Sequence, residues 1–290
     1  MKPAPFEYAA PESIPDALDL LGQNDPDEVK ILAGGQSLMP LLNMRLSRPG
    51  LVLDLGQIEG LDYLEPRDGG LAIGAMATKR ILEDSPLIRD EYPLLWESTV
   101  AIGHPPIRNR GTVGGSMVQA DPASEYPAVA LAMDMEFVLV SASGERVVAA
   151  DDFFVTFLTT SIEPGEIMTE IRVPRTREGT GWGFQEQARR HGDFAMVGAV
   201  AMVRLDGGVC ADPRLVLFGV ADRATRMQEA EACLAGMAPD EAAFEAMGEA
   251  VLSGVEDPMS DVHASAEYRR DLARVLSIRA MREAVGRASG

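Results

Sequence analysis

Two glycine pairs stand where a backbone could approach something bulky or negatively charged. Gly34 and Gly35 close the apolar run "ILAGG" and precede Gln36 and Ser37, while Gly114 and Gly115 lie in "RGTVGGSMVQADPASEYP" between Thr112 and Ser116. Successive N–H groups in a tight Gly-Gly turn that opens onto a helix form a concavity suited to phosphate oxygens, with no charged side chain required. A single such turn is better read as a plain tight turn. Neither pair fits GxGxxG, so a doubly wound dinucleotide fold is not supported, and no GxxxxGK[ST] loop is present. Two turns with hydroxyl or amide neighbours point instead to one extended ligand, with a pyrophosphate, lying between them.

Other candidate chemistry is sparse. His104 in "IGHPPIRNRG" could be a base, but a loop histidine beside two prolines reads more simply as structural. Arg108 and Arg110 are expected to hold the second glycine loop through its carbonyls. Asp121 and Glu125 could pair for acid/base work, or one of them could cap the helix that follows. His191 and His263 have no visible partners, so no metal site is expected. No nucleophile stands with a base and an orienting acid.

The elements that must position the glycine turns can be read from periodicity. "ESIPDALDLLG" predicts a helix capped by Ser13, with Ile14, Ala17, Leu18 and Leu21 on one face and Gly22 as its stop. "VKIL" predicts a strand feeding Gly34, after which Ser37 would cap "LMPLLNMRL"; "LVLDL" closes a first α/β lobe over 1–56. A second α+β lobe, 57–177, would hold the strand "GGLAIGAMAT", helices broken at Pro86 and Pro93, the helix "YPAVALAMDM", a hairpin about Ser143 and Gly144, and a strand ended by Pro174. A third lobe, 178–290, shows three strand-like runs and then two alanine-rich helical stretches. The last helix would stripe Tyr268, Leu272, Val275 and Leu276 and collect Arg269, Arg270, Arg274 and Arg282 on a face that is solvated or docks a partner.

Composition narrows the partners. With 26 basic against 45 acidic residues the net charge is −19, which repels phosphate backbones and anionic lipid and argues against nucleic acid. The two cysteines, Cys210 and Cys233, form no CxxC pair and cannot ligate zinc or an iron–sulfur cluster by themselves. "MKPAPFEYAAPESIP" lacks a signal-peptide pattern, and no apolar run approaches the roughly 20 residues of a membrane helix, so a cytoplasmic protein is expected. The scattered methionines read as core filler.

In the order "LAGGQSLMPLLNMRL", "LAIGAMAT", "IRNRGTVGGSMVQADPASEYP", "PGEIMTEIRVP" and "RRHGDFAMVGAVA", the chain resembles the FAD-binding medium subunits of molybdenum hydroxylases, the carbon monoxide dehydrogenase and xanthine dehydrogenase group. The resemblance spans almost the whole chain. It implies an α+β, two-lobed PCMH-type (vanillyl-alcohol-oxidase-like) FAD-binding domain, followed by a carboxy-terminal lobe of three-stranded antiparallel sheet with helices.

By that resemblance, Ala33, Gly34, Gly35, Gln36 and Ser37, flanked by Leu32 and Leu38, would wrap the FAD pyrophosphate. Thr112, Val113, Gly114, Gly115 and Ser116, with Ala75, would follow the ribityl chain and flavin ring, where glycine permits close approach. Glu125 matches a position commonly Asp in the family that reaches the sugar-like part of the cofactor, and Met168 matches an apolar residue near the adenine or flavin edge. His104 as a covalent flavin attachment point is the lesser reading. The third lobe departs from the pattern: carbon monoxide dehydrogenase-like relatives carry Tyr near the flavin with Lys close behind, whereas "GFQEQARR" offers Phe184, Gln185 and Glu186 as the residues there. A carboxylate in place of a cation disfavours an anionic reduced flavin, so an altered flavin potential or electron acceptor is expected. The resemblance further implies a small [2Fe-2S] subunit and a large subunit with the molybdenum–pterin cofactor, assembled as a dimer of heterotrimers, with FAD passing electrons to an external acceptor. A stand-alone flavin oxidase or reductase, and a flavin-free scaffold, are the alternatives.

Overall fold

The computed structural model describes residues 2–67 and 69–289. The chain begins with β1 (Glu7–Ala9), α1 (Ile14–Gln23), β2 (Val29–Leu32), α2 (Leu38–Asn43) and β3 (Leu51–Asp54). Ser13 caps α1 as expected, its Oγ accepting the Asp16 N–H at 3.2 Å and donating to the Asp16 carboxylate at 2.6 Å. The three strands pair in parallel in the order β1-β3-β2. Parallel neighbours cannot be joined by a hairpin, so helices make the crossovers, and Ala17, Leu53, Leu55 and Ile58 fill the small core beneath them.

Next come β4 (Leu64–Arg67), β5 (Gly70–Gly74) and the helices α3 (Lys79–Asp84), α4 (Pro86–Glu91) and α5 (Pro93–Ala101). Pro86 and Pro93 each occupy the first helical position, where a missing N–H costs nothing, which is why the helical run breaks there. After α6 (Pro105–Arg108), α7 (Val113–Gln119) and α8 (Glu125–Ala132), the hairpin β6 (Glu136–Ser141) and β7 (Gly144–Ala149) turns where expected. The segment α9 (Ala150–Phe153), β8 (Phe154–Thr156) and β9 (Thr159–Thr160) leads to β10 (Ile167–Pro174), which inserts centrally to give an antiparallel sheet ordered β4-β5-β10-β6-β7. Every residue of α8 is buried. Beyond Glu125 it is almost wholly apolar because α5, α7 and the next sheet cover it.

The rest of the chain forms β11 (Thr180–Gln187), β12 (Val197–Asp206), β13 (Val209–Phe218), β14 (Thr225–Arg226), α10 (Gln228–Leu234), α11 (Glu241–Gly254) and α12 (Ala266–Ala288). The sheet β11-β12-β13-β14 is antiparallel; beyond the three expected strands, a two-residue fourth pairs with Val216 and Leu217. A third helix, α10, also precedes the two anticipated. One face of the sheet, with Val200, Met202, Val216 and Phe218, joins the central core, while Ala199, Ala201, Leu215 and Leu217 pack under the helices. Gly181 and Gly183 let α12 lie directly on β11, since a Cβ at either position would collide with the carbonyls of Ala284 and Ala280.

The expected basic face of α12 is corrected. Arg269 is buried and donates to the carbonyls of Met196 and Gly219 and to Asp261. Arg270 binds the carbonyls of Val255 and Glu256, Arg274 pairs with Glu245 and Glu249, and Arg282 pairs with Glu241. These arginines bind the helix to its own lobe, whereas Tyr268 and Val275 of the expected apolar stripe are exposed. Among the described residues no helix is long and apolar enough to cross a membrane.

Candidate cofactor site

The two glycine turns, far apart in sequence, meet in space. A Cβ on Gly34 would stand 2.8 Å from the Gly111 Cα and closer still to the Arg110 carbonyl oxygen, so the first turn lies backbone to backbone against the loop that leads into the second. The Ala33 Cβ lies 3.5 Å from the position a Gly115 Cβ would take. Gly114 is equally confined: its N–H donates to the Ala75 carbonyl at 3.0 Å, and a Cβ would come within 2.7 Å of the Ala75 Cβ.

At the first turn, Gly35 adopts φ +73°, a conformation that favours glycine. Among the described residues, the N–H groups of Gly34, Gly35, Gln36, Ser37 and Leu38 donate to no backbone or side-chain acceptor. Gln36 turns back to the Gly34 carbonyl at 3.2 Å. Ser37 occupies the cap position of α2, but its side chain makes no cap hydrogen bond, contrary to expectation. The result is a run of free donors at a helix start, the arrangement that accepts phosphate oxygens. At the second turn the donors are largely used: Thr112 Oγ1 takes the Gly115 N–H at 3.1 Å and the Ala77 carbonyl takes the Val113 N–H at 2.8 Å. This stretch offers a bare, rigid backbone surface rather than donors, as a flat or chain-like group requires.

The residue that holds the second turn was missed in the sequence reading. Lys79, the first residue of α3, is 3 % exposed; its N–H donates to the Gly111 carbonyl at 2.9 Å and its ammonium to Ser116 Oγ at 2.7 Å and the Thr112 carbonyl at 3.2 Å. Burial lowers its pKa to about 8, against an opposing pull from Glu125. The available signal was a cation at a helix amino terminus, where the helix dipole opposes it.

Glu125 begins α8 and is buried; burial first, then the neighbouring Glu186, raises its carboxyl to about 8. Glu186 lies on the same face of β11 as Trp182 and Phe184, toward the central lobe, and burial raises it to about 7. Burial also raises Asp121, whose Oδ1 accepts the Ala123 N–H at 2.9 Å and so shapes the turn before α8.

The other expected residues lie as follows. Gln185 faces the opposite way from Phe184 and donates to Glu283 of α12 at 2.9 Å, so its side chain is not at the cleft. Phe184 stacks on Phe218 with centroids 6.1 Å apart, and Met168 and Val113 are core residues. Leu32 and Leu38 flank the first turn half-buried. Arg108 does bind carbonyls, but those of Ile102 and Gly103 at 3.1 Å, while it grips Glu83 through two bonds; Arg110 is exposed. His104 sits with its ring 6.5 Å from that of His191, and His263 lies 3.4 Å from Arg189. Among the described residues no group of three or more His, Cys, Asp or Glu could hold a metal ion.

A donor-rich turn backed against a bare glycine surface has the chemistry that an elongated cofactor with a diphosphate calls for. Comparison with known proteins gives the same class. Residues 4–176 match the family model of the FAD binding domain in molybdopterin dehydrogenase, and residues 182–284 match the CO dehydrogenase flavoprotein C-terminal domain. The chain belongs to the family of FAD-binding medium subunits of molybdopterin hydroxylases, the carbon monoxide dehydrogenase and xanthine dehydrogenase group. It is 41 % identical to the 6-hydroxypseudooxynicotine dehydrogenase complex subunit alpha of Paenarthrobacter nicotinovorans, over 99 % of this chain and 97 % of that one. It is 35 % identical to the carbon monoxide dehydrogenase medium chain of Hydrogenophaga pseudoflava over the full length of both. The solved structure of carbon monoxide dehydrogenase from that organism, lacking the Mo-pyranopterin moiety of its cofactor, superposes with a TM-score of 0.96 at 37 % identity, covering 99 % of each chain.

Proposed function

We propose that this chain binds one FAD between its two glycine turns and serves as the electron-transfer subunit of a cytoplasmic molybdenum hydroxylase. In this reading electrons come from [2Fe-2S] clusters on a separate small subunit and leave to an external acceptor, while a large molybdopterin subunit oxidises the substrate in a dimer of heterotrimers. The observation that carries the reading is the run of free N–H groups from Gly34 to Leu38 in the turn that packs beside the glycine surface at 112–116. When bound, FAD supplies two-electron redox chemistry. The residues of this chain bind and orient it: the first turn meets the pyrophosphate, the second passes along the ribityl chain and ring, and Lys79 keeps the second turn in place.

Two free cysteines, one of them buried, are too few for an iron–sulfur cluster, which supports placing the clusters on a partner. The two relatives above are named for different substrates yet resemble this chain over almost its whole length, which supports placing substrate chemistry elsewhere. The test is an absorption spectrum of the purified chain, with cofactor released by heat and identified by chromatography. One FAD per chain is the expected result. A colourless protein that takes up no FAD even with its partner subunits present would leave a flavin-free scaffold, and flavin reduction by an organic substrate in the isolated chain would favour a stand-alone oxidase.

A further inference from the structure

Four elements bring ionisable groups to one place behind the second glycine turn, with Lys79 and Glu125 buried and Asp121 and Glu186 half-buried. Lys79 comes from α3, Asp121 from the turn between α7 and α8, Glu125 from the start of α8, and Glu186 from the inner face of β11. The only cation among these four, Lys79, is committed to Ser116 and the Thr112 carbonyl. Among the described residues Glu186 Oε2 is buried with no hydrogen-bond partner, and the Glu125 carboxyl meets its own N–H. Nearby charges do not relieve the imbalance. Arg108 is paired with Glu83, Glu97 and Arg287 pair near Trp182, and Glu283 lies on the far face of β11 with Gln185. Beside Glu186, β12 contributes Gly198, and the loop after β11 carries Arg189, Arg190 and His191 out to the surface.

Three carboxyls and one ammonium, two of the groups buried and two half-buried, cannot all be charged without cost. An unpartnered buried carboxylate oxygen is far costlier than the neutral acid, and two neighbouring carboxyls ionise as a coupled pair. We infer that Glu125 and Glu186 form a largely withdrawn proton store beside the cofactor site, keeping a proton at neutral pH and taking up more when negative charge enters the cleft. The uptake is a simple exchange: a proton from water or buffer bonds to a carboxylate oxygen of the pair, and the conjugate base stays in solution. The upward shifts of both carboxyls agree with this arrangement. The role assigned to the store rests on the reading that the cleft binds FAD, whose pyrophosphate brings negative charge.

The store is tested first on the ligand-free chain, by infrared difference spectra between pH 6 and pH 9. Surface carboxyls are already ionised at pH 6, so a carboxylic acid C=O band that disappears on raising the pH through 7 to 8 is the expected result. Wild-type protein with no such band overturns the proposal, whatever any variant does. Glu186→Gln and Glu125→Gln then assign the band, and a band untouched by either assigns it to Asp121 and overturns the store. In the second measurement, FAD is added in weak buffer at pH 7.5 with an indicator dye; wild type takes up protons and Glu186→Gln takes up at most half as many. Equal uptake by both overturns the coupling. If no FAD binds, the functional reading fails while the infrared result still decides the store.

Discussion

Replacing Gly34 with Ala tests the contact on which the site is built. The added Cβ would lie 2.8 Å from the Gly111 Cα and 2.9 Å from the Arg110 carbonyl carbon, while carbon atoms rest at about 3.5–4.0 Å. The turns must therefore separate by roughly 0.7 Å or more, and both sides are backbone, so no side-chain rotation gives relief. Overpacking of this kind costs ~1–3 kcal/mol, and for a domain of this size each 1 kcal/mol lowers Tm by about 2–4 °C. A fall of several degrees is expected, together with at least a tenfold loss in FAD affinity, because the free N–H groups belong to the turn that is pushed away. Gly22→Ala is the matched control: it lies in α1 with nothing within 4 Å of the new methyl and should stabilise by ~0.5–1 kcal/mol through helix propensity. Thermal unfolding and flavin content report both effects. A Gly34→Ala protein that keeps the wild-type Tm and its full complement of FAD would refute the backbone-to-backbone seating of the two turns.

Arg108→Ala leaves Glu83 and the carbonyls of Ile102 and Gly103 without their buried partner, so a loss of ~3–5 kcal/mol is expected in chemical denaturation. The ligand-free chain should lose stability as pH rises from about 5 to 8. Glu125 and Glu186, raised from 4.5 to about 8 and about 7, make the folded state bind more protons than the unfolded one over that window. A tenfold change in an acid's dissociation constant corresponds to about 1.4 kcal/mol, so a decline of a few kcal/mol between pH 5.5 and pH 8 is expected, flattened by Glu186→Gln; a flat wild-type profile would contradict it. Lys79, lowered from 10.5 to about 8, acts in the other direction, its burial penalty easing only above pH 8. Glu186→Lys should raise the midpoint potential of bound flavin in a redox titration, and an unchanged midpoint would remove Glu186 from any influence on the cofactor.

Periodicity and turn chemistry went far toward the fold because most elements obey local rules. Ser13 before Asp16, proline at the first position of α4 and α5, and Gly144 at the hairpin are each recognisable without tertiary context. The misreadings occur where tertiary contacts override the pattern. The α12 arginines look like a solvated face, since nothing local reveals that Arg269 ends against the carbonyls of Met196 and Gly219, 73 and 50 residues away. The strand β14 is two residues long and exists only because Val216 and Leu217 offer it an edge.

The site divides along the same line. The close approach of its glycines was legible because glycine is the residue that such an approach demands, and the structure brings both pairs to one place. Its electrostatics were not, because burial is a property of the assembled lobes. Lys79 reads as an ordinary helix-starting lysine until α7 closes over it, and Gln185 and Glu186 are adjacent in sequence but face opposite sides of β11, one toward α12 and the other toward Glu125. A pleated strand alternates its side chains, so of any two neighbours at this position only one can reach the central lobe. That geometry turns Glu186, rather than Gln185, toward the central lobe.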